Sequence, residues 1–357
     1  MVQLPVDVAS DKHAGDYRDE LRDNGMLDGF KSKLEAIKED FHEGGTTQLK
    51  IPKKYAGQIS STLENDDIRK YIDLIKQDFE ELLNDHPSEL LTKIASFETI
   101  ISREQINRKI VIGGTEKESL SSRIVDAMGY ITIRDQVYPP YVKKLGIKTC
   151  VYCNANYAIT DKDGNGYYEL DHWKPKSLYP YLCVSFYNLQ VSCPSCNRRK
   201  SDSDQYQFFQ LWNDQTDKST EVFKFGLNYA NAARYWITHK SQSDYVKFQS
   251  AEQQYEQISK DMNDRLHIET RYREHNDVTE EVFWKAIAYN HSFFASLHGG
   301  LNQSCSDGVG LRTPSLPLSR GDMYRFILGC YQLPEEVHRR PLSKMIQDIA
   351  KALKIEI

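Results

Sequence analysis

Two Cys-x-x-Cys pairs, Cys150 and Cys153 in "TCVYCN" and Cys193 and Cys196 in "SCPSCN", constrain this chain more than any other feature. Cysteines paired this way in a cytosolic chain are expected to hold metal rather than form disulfides. Four thiolates suit a tetrahedral Zn²⁺, and the two-residue gap lets both sulfurs of each pair reach one ion. The 39 residues between the pairs, 154 to 192, exceed the spacing of an ordinary zinc ribbon, so folded structure is expected inside the gap. The remaining cysteines, Cys183, Cys305 and Cys330, read as packed or incidental thiols.

Inside the gap, "DKDGNGYYELDHWKPKS" (161 to 177) opens like a calcium loop, with Asp161, Asp163, Asn165 and Gly166 at ligand and turn positions. The closing position is His172, which cannot supply the bidentate carboxylate such a loop requires. Asp-Gly and Asn-Gly between apolar stretches instead predict a hairpin turn. "YYELDHW" is then the returning strand, delivering Asp171 and His172 side by side.

The chain's 357 residues are enough for two or three cores, and 39% hydrophobic with 27% charged residues is ordinary for a globular protein. No stretch approaches the roughly 18 apolar residues of a membrane span, and the start lacks the n-region and h-region of a signal peptide. A cytoplasmic location with no membrane contact is expected. The net charge of −5 does not mark the whole chain as a nucleic-acid binder. Residues 141 to 202 nevertheless carry nine basic side chains against five acidic ones, a local positive segment suited to phosphate.

Around the cysteine-rich segment the pattern is helical. In "NDDIRKYIDLIKQDFEELLND", Ile68, Tyr71, Ile72, Ile75, Phe79, Leu82 and Leu83 recur at three- and four-residue spacing behind an Asn/Asp cap. "HPSELLTKIASFETII" repeats the pattern, as do "DVTEEVFWKAIAYNHSFFASL" and "PLSKMIQDIAKALKI" near the end, while 304 to 322 reads as a loop. The expected class is α+β, a mostly helical protein with a central metal module. Its expected regions are 1–145, a loosely ordered polar tail of about 25 residues and then helices; 146–212, the metal module; and 213–357, helical. A helix is predicted to start near Pro194 and to carry Asn197 on its first turn.

Taken in order, Cys-x-x-Cys, Asp171-His172-x-x-Pro-Lys, Asn188-Leu and Cys-x-x-Cys-Asn197-x-x-Lys200 resemble the HNH endonucleases of the ββα-metal type over about residues 148 to 203. The resemblance implies that His172 is the general base that activates water, with Asn188 orienting its ring. It implies that Asp171 and Asn197 ligate a catalytic Mg²⁺ or Mn²⁺, with a structural Zn²⁺ on Cys150, Cys153, Cys193 and Cys196. Many family members carry His at the position of Asn197, which implies weaker or altered metal preference here. Imidazole has the near-neutral pKa a base needs, and a hard cation prefers oxygen donors while the four thiolates are too soft for it. Lys174, Lys176, Arg198, Arg199 and Lys200 are the expected phosphate contacts, on double-stranded DNA.

At finer grain, "DHWKPKSLYPYL", "NLQVSCPSCNRRKSD" and "RRPLSKMIQDIAK" resemble HNH proteins of Septu-type and retron-associated anti-phage systems. That implies an ATPase partner in trans, and "VIGGTEKES" is not a phosphate loop that would supply one in cis. Two alternatives keep most of these residues: a non-catalytic zinc-stabilised nucleic-acid-binding module, and the same site acting on RNA. No G-x-S-x-G or H-E-x-x-H motif supports another catalytic scheme.

Overall fold

The computed structural model describes residues 1–202, 205–289, 293 and 319–355. The fold is α+β, and it divides into two compact units: Leu4–Ile147 with Ala158–Lys218, and Met1–Gln3 with Lys148–Tyr157 and Ser219–Ile357. This partition cuts across the expected 146–212 region, because contacts between segments distant in sequence leave no mark on local composition.

The first unit is organised around the helix Asn65–Asn84, in which all seven apolar residues of the predicted face are buried. Its start differs from the expected cap. Asn65 is buried and spends its side chain elsewhere, accepting from Thr47 Oγ1 at 2.7 Å and donating to the His42 carbonyl at 2.9 Å. In the helix Pro87–Glu98, Leu90, Ile94 and Phe97 are buried while Leu91 stays half exposed.

The N-terminal residues are ordered, contrary to the expected loose tail. A helix runs Val8–Asp23 from a capping box in which Asp7 Oδ1 accepts from the Ser10 amide at 2.8 Å and Ser10 Oγ accepts from the Asp7 amide at 2.8 Å. Ser10, Ala14, Tyr17 and Leu21 form its buried stripe, a helical spacing hidden by the polar residues between them. The Tyr17 hydroxyl donates to the Val184 carbonyl at 2.8 Å and so fixes this helix to the loop behind the candidate site.

The region also holds a four-stranded antiparallel sheet that a helical reading misses. Its order is Thr62–Glu64, Thr46–Leu49, Lys109–Ile112, Thr115–Ser119. The Gly113–Gly114 pair, both with positive φ, is the tight turn between the last two strands. A second hairpin pairs Ile159–Thr160 with Gly166–Tyr167, and Asp161 Oδ1 ties its turn by accepting from the amides of Asp163 and Asn165 at 2.8 and 2.9 Å.

The second unit is not purely helical either. The strands Phe223–Leu227 and Val246–Ser250 pair antiparallel, and the helix Ser343–Ala352 buries Met345, Ile346 and Ile349. Asp348 on that helix accepts from the Phe225 amide at 2.7 Å and pairs with Lys344 at 2.6 Å. The helix Asn276–Ala288 buries Val282 and Phe283 but leaves Ile287 exposed. Phe294, Cys305 and most of the expected 304–322 loop lie outside the described residues; from Ser319 the chain caps a helix, Arg320–Leu328. Among the described residues no helix is long and apolar enough to cross a membrane.

Candidate functional site

The strand Glu169–His172 pairs antiparallel with Leu189–Ser192, with Leu170 opposite Val191 and His172 opposite Leu189. The strand expected as one return of the hairpin is therefore two: Gly166–Tyr167 closes the turn, and Glu169–His172 finds a different partner. The helix Pro194–Lys200 follows at once, with Cys193 as its cap and Pro194 in the first turn, where a missing N–H costs nothing. Strand, strand and helix thus lie in sequence around Asp171 and His172.

Asn188 closes the loop between the strands. Its Oδ1 accepts from the Lys174 amide at 2.8 Å, and its Nδ2 donates to the carbonyls of Leu182 and Lys174 at 2.9 and 3.2 Å. This clamp sits next to the group that holds the His172 ring, which is the Cys183 carbonyl, 2.9 Å from Nε2. The expectation that Asn188 itself orients the ring is corrected: its side chain fixes the backbone that does so. A carbonyl only accepts, so Nε2 carries the proton and Nδ1 is the basic nitrogen. His172 is 4% exposed, and its ring lies 4.8 Å from that of Tyr130. Burial, and then the Lys176 ammonium, lower the ring pKa to about 3, so His172 is neutral throughout the physiological range.

Lys200 departs most from expectation. It reads as the third member of an exposed basic trio, but only Arg198 and Arg199 are exposed, while Lys200 is 1% exposed. Its ammonium lies 3.2 and 3.5 Å from the two carboxylate oxygens of Asp171, donates to the His172 carbonyl at 2.7 Å, and sits over the Phe208 ring. Asn197, three residues earlier, shares that helical face; its backbone amide donates to the Cys193 carbonyl at 3.0 Å, and its side-chain amide makes no hydrogen bond among the described residues.

Lys176 sits 3.9 Å over the Tyr130 ring and forms no ion pair among the described residues. Burial lowers its pKa. Lys174 stacks on Trp173 at 4.4 Å. Tyr130, which donates to the Leu170 carbonyl at 2.7 Å, thus presents one ring to both Lys176 and His172. Lying 42 positions before His172, it carries no local signal that would have marked it.

The sulfurs of Cys150, Cys153, Cys193 and Cys196 lie within 4.8 Å of one another, and all four residues are buried. Sulfurs at about 2.3 Å from a tetrahedral ion are spaced about 3.8 Å apart, so this all-sulfur set is able to hold zinc. Cys153 Sγ also accepts from the Ala155 amide and from Arg271, each at 3.5 Å, donors that favour a thiolate. Asn154, at φ +50°, makes the turn of the first pair. Its side chain accepts from the Lys344 amide at 3.0 Å and donates to the Val337 carbonyl at 2.8 Å, a structural role that the Cys-x-x-Cys pattern does not reveal.

No family model and no solved structure match the chain. Among curated proteins it is similar to the Septu protein PtuB of Bacillus thuringiensis, 36% identical over 69 residues that cover 18% of this chain and 25% of that protein. The likeness is therefore to a quarter of PtuB.

Proposed function

We propose that the chain is a metal-dependent HNH endonuclease that hydrolyses phosphodiester bonds of double-stranded DNA, acting in the cytoplasm in anti-phage defence. The observation that carries this reading is the strand–strand–helix unit that seats Asp171 and a neutral, ring-anchored His172 beside the helix bearing Asn197. His172 Nδ1 is the base for water, a weaker base than the near-neutral imidazole expected from sequence because burial and the Lys176 ammonium lower the ring pKa to about 3. The Asp171 carboxylate and the Asn197 amide oxygen are hard donors that fit Mg²⁺ or Mn²⁺, since a carboxylate has lone pairs enough for Lys200 and a cation together. The cation would neutralise charge on the phosphate oxygens. Lys176, Lys174, Arg198 and Arg199 supply contacts to the backbone phosphates.

The four cysteines hold a structural Zn²⁺ in this account. The defence role rests on the likeness to the Septu protein, and an ATPase partner in trans supplies the phosphate loop that this chain lacks, Gly113 and Gly114 being a hairpin turn. The Asp171–Lys200 ion pair favours a second reading, a zinc-stabilised nucleic-acid-binding module whose acidic residue is structural. The two separate on incubation of the zinc-loaded protein with labelled duplex, single-stranded DNA and tRNA, with Mg²⁺, Mn²⁺ or EDTA. Metal-dependent cutting of duplex DNA supports the nuclease. Salt-sensitive binding without cutting, with or without an ATPase partner, supports the module, and cutting of tRNA alone moves the substrate to RNA.

A further inference from the structure

We infer that Lys200 is a charge lock on the candidate cation site: its ammonium and a divalent cation share the Asp171 carboxylate, so Lys200 sets how tightly metal is held. The inference rests on the reading of Asp171 as a metal ligand. A lysine is rarely fully buried unless paired, and Lys200 is 1% exposed while its neighbours Arg198 and Arg199 face solvent. Its ammonium is satisfied from three sides, by Asp171, by the His172 carbonyl and by the Phe208 ring. The approach to Asp171 is nearly symmetric, 3.2 and 3.5 Å to its two oxygens, so both face the ammonium. A cation arriving at Asp171 therefore meets a carboxylate already neutralised and a positive charge a few ångströms away.

The bond to the His172 carbonyl gives Lys200 a second effect. It ties the last turn of the helix carrying Asn197 to the strand carrying Asp171 and His172, making Lys200 a positioning residue for all three. Replacing it with an uncharged side chain tightens metal binding while loosening the geometry.

The test is Mn²⁺ binding to the full-length, zinc-loaded protein, read by electron paramagnetic resonance of free Mn²⁺ for wild type, Lys200→Met, Lys200→Gln, Lys200→Arg and Asp171→Asn. Binding that Asp171→Asn abolishes identifies the site. At that site Lys200→Met is expected to bind about tenfold more tightly or better, from removal of one like charge at short range, with Lys200→Arg within about threefold of wild type. Lys200→Gln, which can still donate to the His172 carbonyl, gives the same reading if the Met variant does not fold. Asp171-dependent binding that is equal in wild type and in the uncharged variants overturns the charge lock and leaves the metal reading standing. No Asp171-dependent binding in any variant overturns both.

Discussion

Replacing Asn188 with Ala removes three hydrogen bonds from a fully buried side chain. All three end on backbone groups, the two shortest on the Lys174 amide, held at 2.8 Å, which loses this acceptor, and on the Leu182 carbonyl, held at 2.9 Å, which still accepts from the Ser185 amide at 3.3 Å. At about 1–3 kcal/mol for the Lys174 amide left without its acceptor and about 0.5–1.5 kcal/mol for the bond lost at the Leu182 carbonyl, the substitution costs about 1.5–4.5 kcal/mol in all. The part that falls on the Lys174 amide corresponds to about 5- to 150-fold faster hydrogen exchange there. Asn188→Asp keeps an acceptor for that amide but turns a carboxylate oxygen towards the Leu182 carbonyl, so it protects the loop no better than Ala. Exchange measured over residues 173 to 188, at equal zinc content, reads the effect directly. Because Leu182 precedes the carbonyl that anchors His172, DNA nicking falls with it. Exchange of the Lys174 amide within about a factor of two of wild type would refute the clamp.

The cysteine set predicts one zinc per chain by elemental analysis; Cys193→Ser loses it and lowers Tm by at least about 10 °C, and an unchanged Tm in a zinc-free variant would count against a structural zinc. His338, whose Nε2 donates to the Val2 carbonyl at 2.8 Å, has its pKa lowered to about 4 by burial. In the unfolded chain the ring titrates near 6.5, so the unfolded state takes up the proton first as pH falls; the stability associated with this ring is full above about 6.5 and declines by up to about 3 kcal/mol towards pH 4. Urea midpoints at pH 7 and 4.5 are expected to differ more in wild type than in His338→Gln, and equal differences would contradict this.

What could be read in the sequence is what has a local period or spacing. The buried face of Asn65–Asn84, the pairing of the four cysteines and the helix opening at Pro194 each depend on residues a few positions apart. The short strands at 46–49 and 62–64 escaped because three or four residues with polar side chains carry no alternation strong enough to register. The ordered N-terminus escaped because its buried stripe of Ser10, Ala14, Tyr17 and Leu21 gives about one residue per turn, set among charged and polar neighbours that mask the period. Lys200 is the instructive case at the site. "NRRK" is uniformly basic in sequence, yet helical geometry turns Arg198 and Arg199 outward and Lys200 inward onto Asp171. The Cys183 carbonyl that holds His172 is a backbone group, and no residue identity encodes it.

We propose His172 as the base of a DNA nuclease. That role is tested most directly by nicking of supercoiled plasmid with Mg²⁺ or Mn²⁺, with and without an added ATPase of the proposed partner class, comparing wild type with His172→Ala at equal zinc content. Metal-dependent nicking by wild type is expected, with a loss of at least about a hundredfold in the variant. Equal cutting by the two proteins would contradict it.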